Sequence, residues 1–381
     1  MEGRDVMGLA QTGTGKTAAF VLPILNRLIK GPNGTIRALI IAPTRELAEQ
    51  INSDFKHLGR QTRSRSTVVY GGVGINPQIQ DLTRADIVVS CPGRLLDHIN
   101  RRTVDLSRLE VLVLDEADQL FDMGFFPDIR RILKHVPQVG RQTLLFSATM
   151  PAEIRHLAKE VLKNPTTVQI GATAPAKTVR HALYPVATHL KTALLIRLLD
   201  QTRSGSVLVF TRTKHRAKNL DQKLAKAGYR STSLQGNLSQ GKRQAALNSF
   251  RSGESQILVA TDIAARGLDV SNISHVINYD IPATPEAYIH RIGRTGRAER
   301  SGQAFTLITD KDTKMVNAIN RAIGSSVEQH TLSDFNYGTP FKPQGKRAAG
   351  PANRSPRNRK RRFPKAGTKR RESKGMFVWQ S

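Results

Sequence analysis

Cysteine occurs once in the 381 residues, at Cys91, which excludes a disulfide framework and any zinc site built from several thiolates. No apolar run reaches the ~18 residues that a membrane-spanning helix needs. Residues 1–5, from Met1 to Asp5, hold no apolar stretch, so no secretory leader is expected, and a reducing, cytoplasmic setting is. Acids are scarce beside bases: 30 Asp and Glu face 59 Lys and Arg, a net charge of +29. An excess of that size excludes an ordinary neutral enzyme and points to a polyanionic partner, nucleic acid ahead of an anionic membrane surface. Aromatics are few, at 5%, yet the hydrophobic fraction of 39% still supplies cores and excludes wholesale disorder. At roughly 100–200 residues per domain, two domains are expected.

The charge is unevenly spread. Residues 341–381 hold 14 Lys and Arg against the single acid Glu372, a net of +13, and the first 340 residues carry +16. The basic end is rich in Gly, Pro and Asn and too poor in apolar residues to offset its ordering entropy, so a disordered tail is expected. Met376-Phe-Val-Trp379 is the one apolar patch in it.

Short apolar runs alternate with helix-like stretches along the rest. Val6–Ala10, Ala38–Ala42, Ile87–Ser90, Val111–Leu114 and Thr143–Phe146 read as strands, each followed by a helical pattern. After Gly171–Thr178, where small residues interrupt the rhythm, it resumes with strands at Ser206–Phe210, Ile257–Ala260, Val276–Tyr279 and Ala304–Ile308. Continuous β-branched runs separated by helices predict parallel sheets covered on both faces, an α/β class. The expected organisation is a first domain at 1–170, a linker at 171–180, a second domain at 181–331 and the tail at 332–381. His57, His98, His135 and His156 lack metal-ligand spacing and are expected on solvated faces. The six Met are scattered and read as core filler.

Two motifs carry chemistry. Ala10-Gln11-Thr12-Gly13-Thr14-Gly15-Lys16-Thr17 lies between a predicted strand and a predicted helix, the setting of a phosphate-binding P-loop. Gly13 and Gly15 let backbone N–H groups face a phosphate, and the helix adds its positive end. Lys16 is expected at the β- and γ-phosphates of ATP, and the Thr17 hydroxyl at Mg²⁺. The general pattern has Gly at the first position, where this chain has Ala10. Asp115-Glu116-Ala117-Asp118 follows a buried strand, where open α/β sheets place ligands. Asp115 is expected to hold Mg²⁺ and Glu116 to activate a water as general base.

With the P-loop before it and Ser147-Ala148-Thr149 after it, Asp115–Asp118 resembles the signature of the DEAD-box RNA helicase family. Pro43–Ala48, Gly71-Gly72, Cys91–Arg94, Val209–Arg212, Gln240 with Arg243, Ala260–Asp262 with Ala265–Asp269, and His290–Arg297 extend the resemblance over residues 1 to about 330. Phe125–Arg131 and the basic tail resemble the bacterial RhlE-type subgroup. The resemblance implies two tandem RecA-like domains with ATP between them and RNA across both, in RNA-stimulated ATP hydrolysis that separates short duplexes. It implies Arg294 and Arg297 as fingers on the γ-phosphate, with His290 and Asp269 facing the nucleotide. Asp118, Ser147 and Thr149 would couple the phosphate side to the RNA side. Backbone contacts to RNA would come from Thr44, Arg45, Gly72, Pro92, Gly93 and Arg94 in the first domain. Arg212, Gln240, Arg243, Thr261 and Arg266 would supply them in the second. Such contacts position a strand without reading its sequence.

Three departures from the family pattern stand out. The Gln-containing segment that clamps adenine is expected upstream of the P-loop strand and is not in this sequence. Cys91 stands where Thr is usual and reads as a small semi-buried substitute, and Glu299 stands where Gly is common. Two alternatives stay open at this level: an RNA-binding module whose ATPase is impaired for want of the adenine clamp, and a DNA-directed motor.

Overall fold

The computed structural model describes residues 3–10, 14–170, 179–202, 205–265, 273–296 and 302–338. The small-residue segment at 171–178 and the tail from residue 339 onward lie outside the described residues, as do Gln11, Thr12, Gly13, Arg266, Asp269, Arg297 and Glu299. The first half contains strands β1 (Val6–Ala10), β2 (Ala38–Ile41), β3 (Ser66–Val69), β4 (Ile87–Ser90), β5 (Val111–Leu114), β6 (Gln142–Ser147) and β7 (Thr166–Ile170). Its helices are α1 (Lys16–Leu28), α2 (Arg45–Leu58), α3 (Ile75–Leu82), α4 (Pro92–Asn100), α5 (Ala117–Asp122), α6 (Phe126–Leu133) and α7 (Ala152–Val161). The second half contains β8 (Val179–Pro185), β9 (Ser206–Phe210), β10 (Ser231–Leu234), β11 (Ile257–Ala260), β12 (Ile273–Asn278), β13 (Gly302–Ile308) and β14 (Glu328–Gln329). Its helices are α8 (Lys191–Gln201), α9 (Lys214–Lys226), α10 (Gln240–Arg251), α11 (Asp262–Ala265), α12 (Pro285–Ile292) and α13 (Thr313–Ile323).

Each half is one seven-stranded sheet, in the orders β3-β4-β2-β5-β6-β1-β7 and β10-β11-β9-β12-β13-β8-β14. Every strand pair is parallel, as the alternating pattern predicts. β2, β4 and β5 are buried at every position because helices cover both faces. Leu39 and Ile41 enter the apolar cluster on one face, and Ala38 and Ile40 the cluster on the other. Leu208 and Phe210 do the same against Val207 and Val209 in the second sheet. Leu→Ala at such positions costs about 2–5 kcal/mol.

The strand order sorts the loops at the carboxyl edge into two adjoining blocks. The loops after β1, β5 and β6 carry the P-loop, Asp115–Asp118 and Ser147–Thr149, on strands that neighbour one another. The segments after β2, β3 and β4 carry Thr44-Arg45, Gly72 and Pro92–Arg94, on the other three. The blocks meet between β2 and β5, where the Asp115 amide donates to the Ile41 carbonyl at 3.0 Å. In the second half, β10, β11 and β9 precede Gln240, Thr261 and Arg212, and β12 precedes the helix that carries His290.

Two expectations need correction. His98 is fully buried rather than solvated, its ring nitrogens 2.8 Å from Thr103 Oγ1 and 3.2 Å from Gln78 Oε1. Burial depresses its pKa, so the neutral ring is favoured there. Residues 332–338 do not behave as tail: Leu332, Phe335 and Tyr337 pack against the second half's core, and Asp334 pairs with Arg197. The aromatic pair Phe335 and Tyr337, centroids 4.8 Å apart, supplies apolar area that the residues beyond it lack.

Candidate functional site

Gly15 takes a left-handed conformation, φ 87°, immediately before α1. That turn is open to glycine at little cost and delivers Lys16 to the helix start. No acid occupies the first turn of α1, so the positive end of the helix is left for an anion. The Lys16 ammonium is buried and has no hydrogen-bond partner. A buried, unbonded ammonium is costly, and a phosphate group satisfies it. Thr14, Gly15 and Lys16 sit at one end of a cavity of about 660 Å³ that continues along an apolar wall including Pro23, Phe146 and Val168.

The acidic segment at the end of β5 is buried throughout: Asp115, Glu116 and Asp118 are each 5% exposed or less. Burial pushes the Asp115 carboxyl upward against the pull of Lys16. Burial first, and then the neighbouring Asp115 carboxylate, lifts Glu116 to about 7, while Arg294 and Lys16 draw it back down. Glu116 also holds φ 49° and ψ 54°, a left-handed backbone that a β-carbon disfavours. Asp118 is differently placed. One carboxylate oxygen accepts the Gln119 amide at 3.1 Å, and the other accepts the amides of Ala148 and Thr149 at 3.1 and 3.0 Å and the Thr149 hydroxyl at 3.1 Å. The Ser147 hydroxyl donates to the Thr149 carbonyl at 2.7 Å and completes the loop. The expected coupling residues Asp118, Ser147 and Thr149 therefore form one hydrogen-bonded unit.

The second half meets this unit. His290 Nε2 lies 4.0 Å from Asp118 Oδ2, and Arg294, 7% exposed, is close enough for its charge to lower the Glu116 pKa. Arg291, within the motif His290–Arg297, has a role that the motif alone does not reveal. Its guanidinium donates to both carboxylate oxygens of Asp262 at 2.5 and 2.7 Å, to Asn278 Oδ1 at 3.0 Å and to the Asp280 carbonyl at 2.7 Å. The Asp280 carboxylate accepts the Arg212 amide at 2.9 Å and Arg216 at 2.5 Å. The buried Lys191 ammonium, 3.9 Å from Asp280, donates to the Tyr279 carbonyl. Burial lowers the Lys191 pKa, and Asp280 holds it up. One polar network thus fixes the Arg212 loop, α11 and α12 together.

A second cavity, about 560 Å³, runs along the other block of loops and takes in Thr44, Arg45, Gly93 and Arg94 from the first half and Arg243 from the second. Thr44 is buried and spends its hydroxyl capping α2 at the Leu47 amide. Gly72 holds φ 85°, a left-handed backbone that favours glycine, and a Cβ there would stand 2.5 Å from Arg45 Nη1 and push that guanidinium aside. Arg94 donates to the Val73 carbonyl at 3.1 Å, and Pro92 opens α4 at a position where its missing N–H costs nothing. Arg212 keeps its side chain exposed. Thr261 is half-buried ahead of α11. Arg243 instead is spent across the halves. It is 8% exposed and pairs with Glu46 at 2.6–2.7 Å, beside a longer 3.4 Å contact from Arg45 to Gln240. Glu46 lies within the motif Pro43–Ala48, and its signal is an acid at the start of the helix face that buries Leu47, Ala48, Ile51, Asn52 and Phe55. Cys91 lines this cavity half-buried, its thiol pushed up to about 12 by burial, and is therefore protonated at neutral pH.

The profile described as "DEAD/DEAH box helicase" matches residues 1–157, and that described as "Helicase conserved C-terminal domain" matches residues 190–299. The chain is 43% identical over 338 residues to the "DEAD-box ATP-dependent RNA helicase RhpA" of Helicobacter pylori strain B128, covering 88% of this chain and 68% of that protein. It is 45% identical over 324 residues to the "DEAD-box ATP-dependent RNA helicase CshA" of Bacillus subtilis, covering 84% and 65%. The chain therefore spans about two thirds of the length of these curated relatives. A solved structure of Dbp5 from S. cerevisiae bound to RNA and ADP BeF3 superimposes with a TM-score of 0.77 at 32% identity, covering 86% of this chain and 84% of that one.

Proposed function

The chain belongs to the DEAD/DEAH box helicase family, and from that premise we propose an ATP-dependent RNA helicase whose hydrolytic site is shared between its two RecA-like halves. The observation that carries the assignment is the meeting of Arg294 with Glu116 and of His290 with Asp118 across the halves. In this reading residues 1–170 form the nucleotide-holding domain and residues 181–338 the domain that completes it.

ATP with Mg²⁺ fits the first half. The Lys16 ammonium has no hydrogen-bond partner among the described residues, α1 offers its positive end, and Mg²⁺ is usually held by one or two carboxylates together with substrate phosphates. Lys16 and the Thr14–Gly15 backbone hold the phosphates. Thr17 and Asp115 would hold the metal, which when bound would supply positive charge to neutralise the triphosphate. Glu116, poised near neutrality, takes the proton of an attacking water. Arg294, with Arg297 outside the described residues, places positive charge where the departing phosphate accumulates negative charge. An arginine in this position is worth about 10³–10⁵ in rate. An open pair of halves is therefore nearly idle.

RNA is assigned to the cavity along the second block of loops. Arg45 and Arg94 in its lining and the exposed Arg212 outside it supply phosphate contacts, and Gly93 in the lining, with Gly72 beside Arg45, allows close approach of the strand. Arg243 acts here by joining the halves through Glu46. Because Asp118 links Ser147–Thr149 to His290, RNA bound at the seam favours the closed arrangement that completes the nucleotide site. A complete phosphate, metal and base set favours a working ATPase over a module that only binds RNA. An RNA substrate and a single cysteine support a cytoplasmic setting. The test is ATP turnover with and without RNA, paired with separation of a short duplex. The expected result is strong RNA stimulation in the native protein. Equal turnover with and without RNA, or equal stimulation by DNA of the same sequence, overturns the assignment.

A further inference from the structure

At the amino end of the first sheet, opposite the ligand edge, α2 and α3 both terminate beside the start of β3. Between them lies a cavity of about 510 Å³. Lys56, Arg60, Arg65 and Arg84 line it, and Asp81 is the one acid among the lining residues. Among the described residues, none of these four cations stands in an ion pair. The Ser66 hydroxyl, also in the lining, is buried without a hydrogen-bond partner. The carboxyl ends of α2 and α3 bring about half a negative charge each. The buried Asp86 carboxylate also lies at this edge, accepting the Arg65 amide at 2.7 Å. With Asp81 and the helix ends it offsets about three of the four cations, so about one positive charge remains around a concavity lined by four exposed basic side chains. Four bases gathered with too little counter-charge repel one another, and a ligand with several anionic oxygens relieves that repulsion and supplies an acceptor for Ser66.

We propose that this cavity is a second binding station for RNA phosphates, separate from the interdomain cleft and used by the flanking part of a long RNA. The proposal rests on the reading of the chain as an RNA-acting enzyme. Four-residue β3 alone spans about 13 Å, so a strand that only fills the cleft does not reach the cavity, whereas a longer one can wrap the edge of the sheet. The favoured ligand is the phosphodiester backbone because the whole body, not this patch alone, is strongly basic. A free phosphate compound shares the same chemistry and is separated from RNA by the experiment.

The experiment compares the full chain with an Arg60→Glu, Arg84→Glu double variant, and with the milder Arg60→Gln, Arg84→Gln pair should charge reversal disturb folding. Affinity is measured across a salt series for a strand of about 10 nucleotides, sufficient for the cleft, and for one several times longer. The native chain is expected to bind the long strand about tenfold more tightly than the short one, and the double variant to lose that preference. Its log–log salt slope for the long strand should flatten by about 1.4, at about 0.7 for each lost phosphate contact. Short-RNA affinity and short-RNA-stimulated turnover should stay within about twofold, since neither arginine belongs to the catalytic or cleft residues. Unchanged long-RNA affinity and slope in both variants overturns the proposal. A cavity that takes up inorganic phosphate in the native chain, while the variants leave long-RNA binding intact, overturns it in favour of a free phosphate ligand. Absence of RNA stimulation in the native chain overturns the helicase reading alone, because the binding preference is read without ATP.

Discussion

The two sheets share one strand order, yet their ligand edges are furnished in opposite ways. In the first half, Lys16 has no hydrogen-bond partner, the Asp115 and Glu116 carboxyls are raised by burial, and Glu116 sits in a left-handed backbone. In the second, Arg291, Asp262, Asn278, Asp280 and Arg212 bond to one another. The first edge holds a buried ammonium and buried carboxyls whose charges a bound triphosphate and its metal relieve. In the second the network around Arg291 is bonded before anything binds, and its contribution is the fixed placement of the helix that carries His290. Reactivity and positioning are thus divided between two copies of one architecture. The division also makes each copy incomplete without the other.

Removing the delivered charge should hurt most. Arg294→Ala is expected to lower RNA-stimulated ATP turnover by about 10³ or more while leaving nucleotide binding nearly intact. A loss below tenfold in steady-state kinetics would mean that the second half is a scaffold and contributes no charge to the reaction. Glu116→Gln comes next, with turnover reduced about 10²–10⁴-fold and RNA affinity retained, because the amide keeps the shape and loses the base. Equal turnover in that variant would move the base elsewhere.

Asp280→Asn probes the pre-satisfied side. It removes charge from a buried site shared by Arg216 and Lys191, and denaturant unfolding should show a loss of about 3 kcal/mol. An unchanged midpoint would show that the network is not what holds the second edge. The smallest effect is expected at the Glu46–Arg243 pair. A double-mutant cycle with Glu46→Gln and Arg243→Gln, read in kcat/KM for RNA, should give a coupling of about 1–3 kcal/mol. Additive losses would mean that the two residues act independently and do not join the halves.

Much of this architecture is legible in the sequence because central parallel strands are buried on both faces. Val111–Leu114, Ile257–Ala260 and Ser206–Phe210 announce themselves as unbroken apolar runs. β7 gives no such signal, since all of Thr166–Ile170 is exposed at a sheet edge. β3 and β10 mix Ser and Thr with few apolar residues and acquire strand form from their neighbours. α10 shows in the sequence only as a short motif, because its buried stripe has just three apolar residues, Ala246, Leu247 and Phe250, beside the charged Arg243. The P-loop and the acidic turn could be placed from local spacing. The Glu46–Arg243 pair spans 197 positions, and no local pattern connects residues that far apart. His98 was misjudged for a related reason: its partners, Gln78 and Thr103, become neighbours only when α3 and the turn after α4 fold against it.

The separation of loops into two adjoining blocks has a consequence for how such a molecule can be altered. In the proposed assignment polymer and fuel contacts follow different strands, so changes to one need not disturb the other. Only the β2–β5 boundary, where the Asp115 amide meets the Ile41 carbonyl, abuts both. A designer seeking a version that burns fuel at a different rate on the same polymer should leave that boundary untouched and work outward from it.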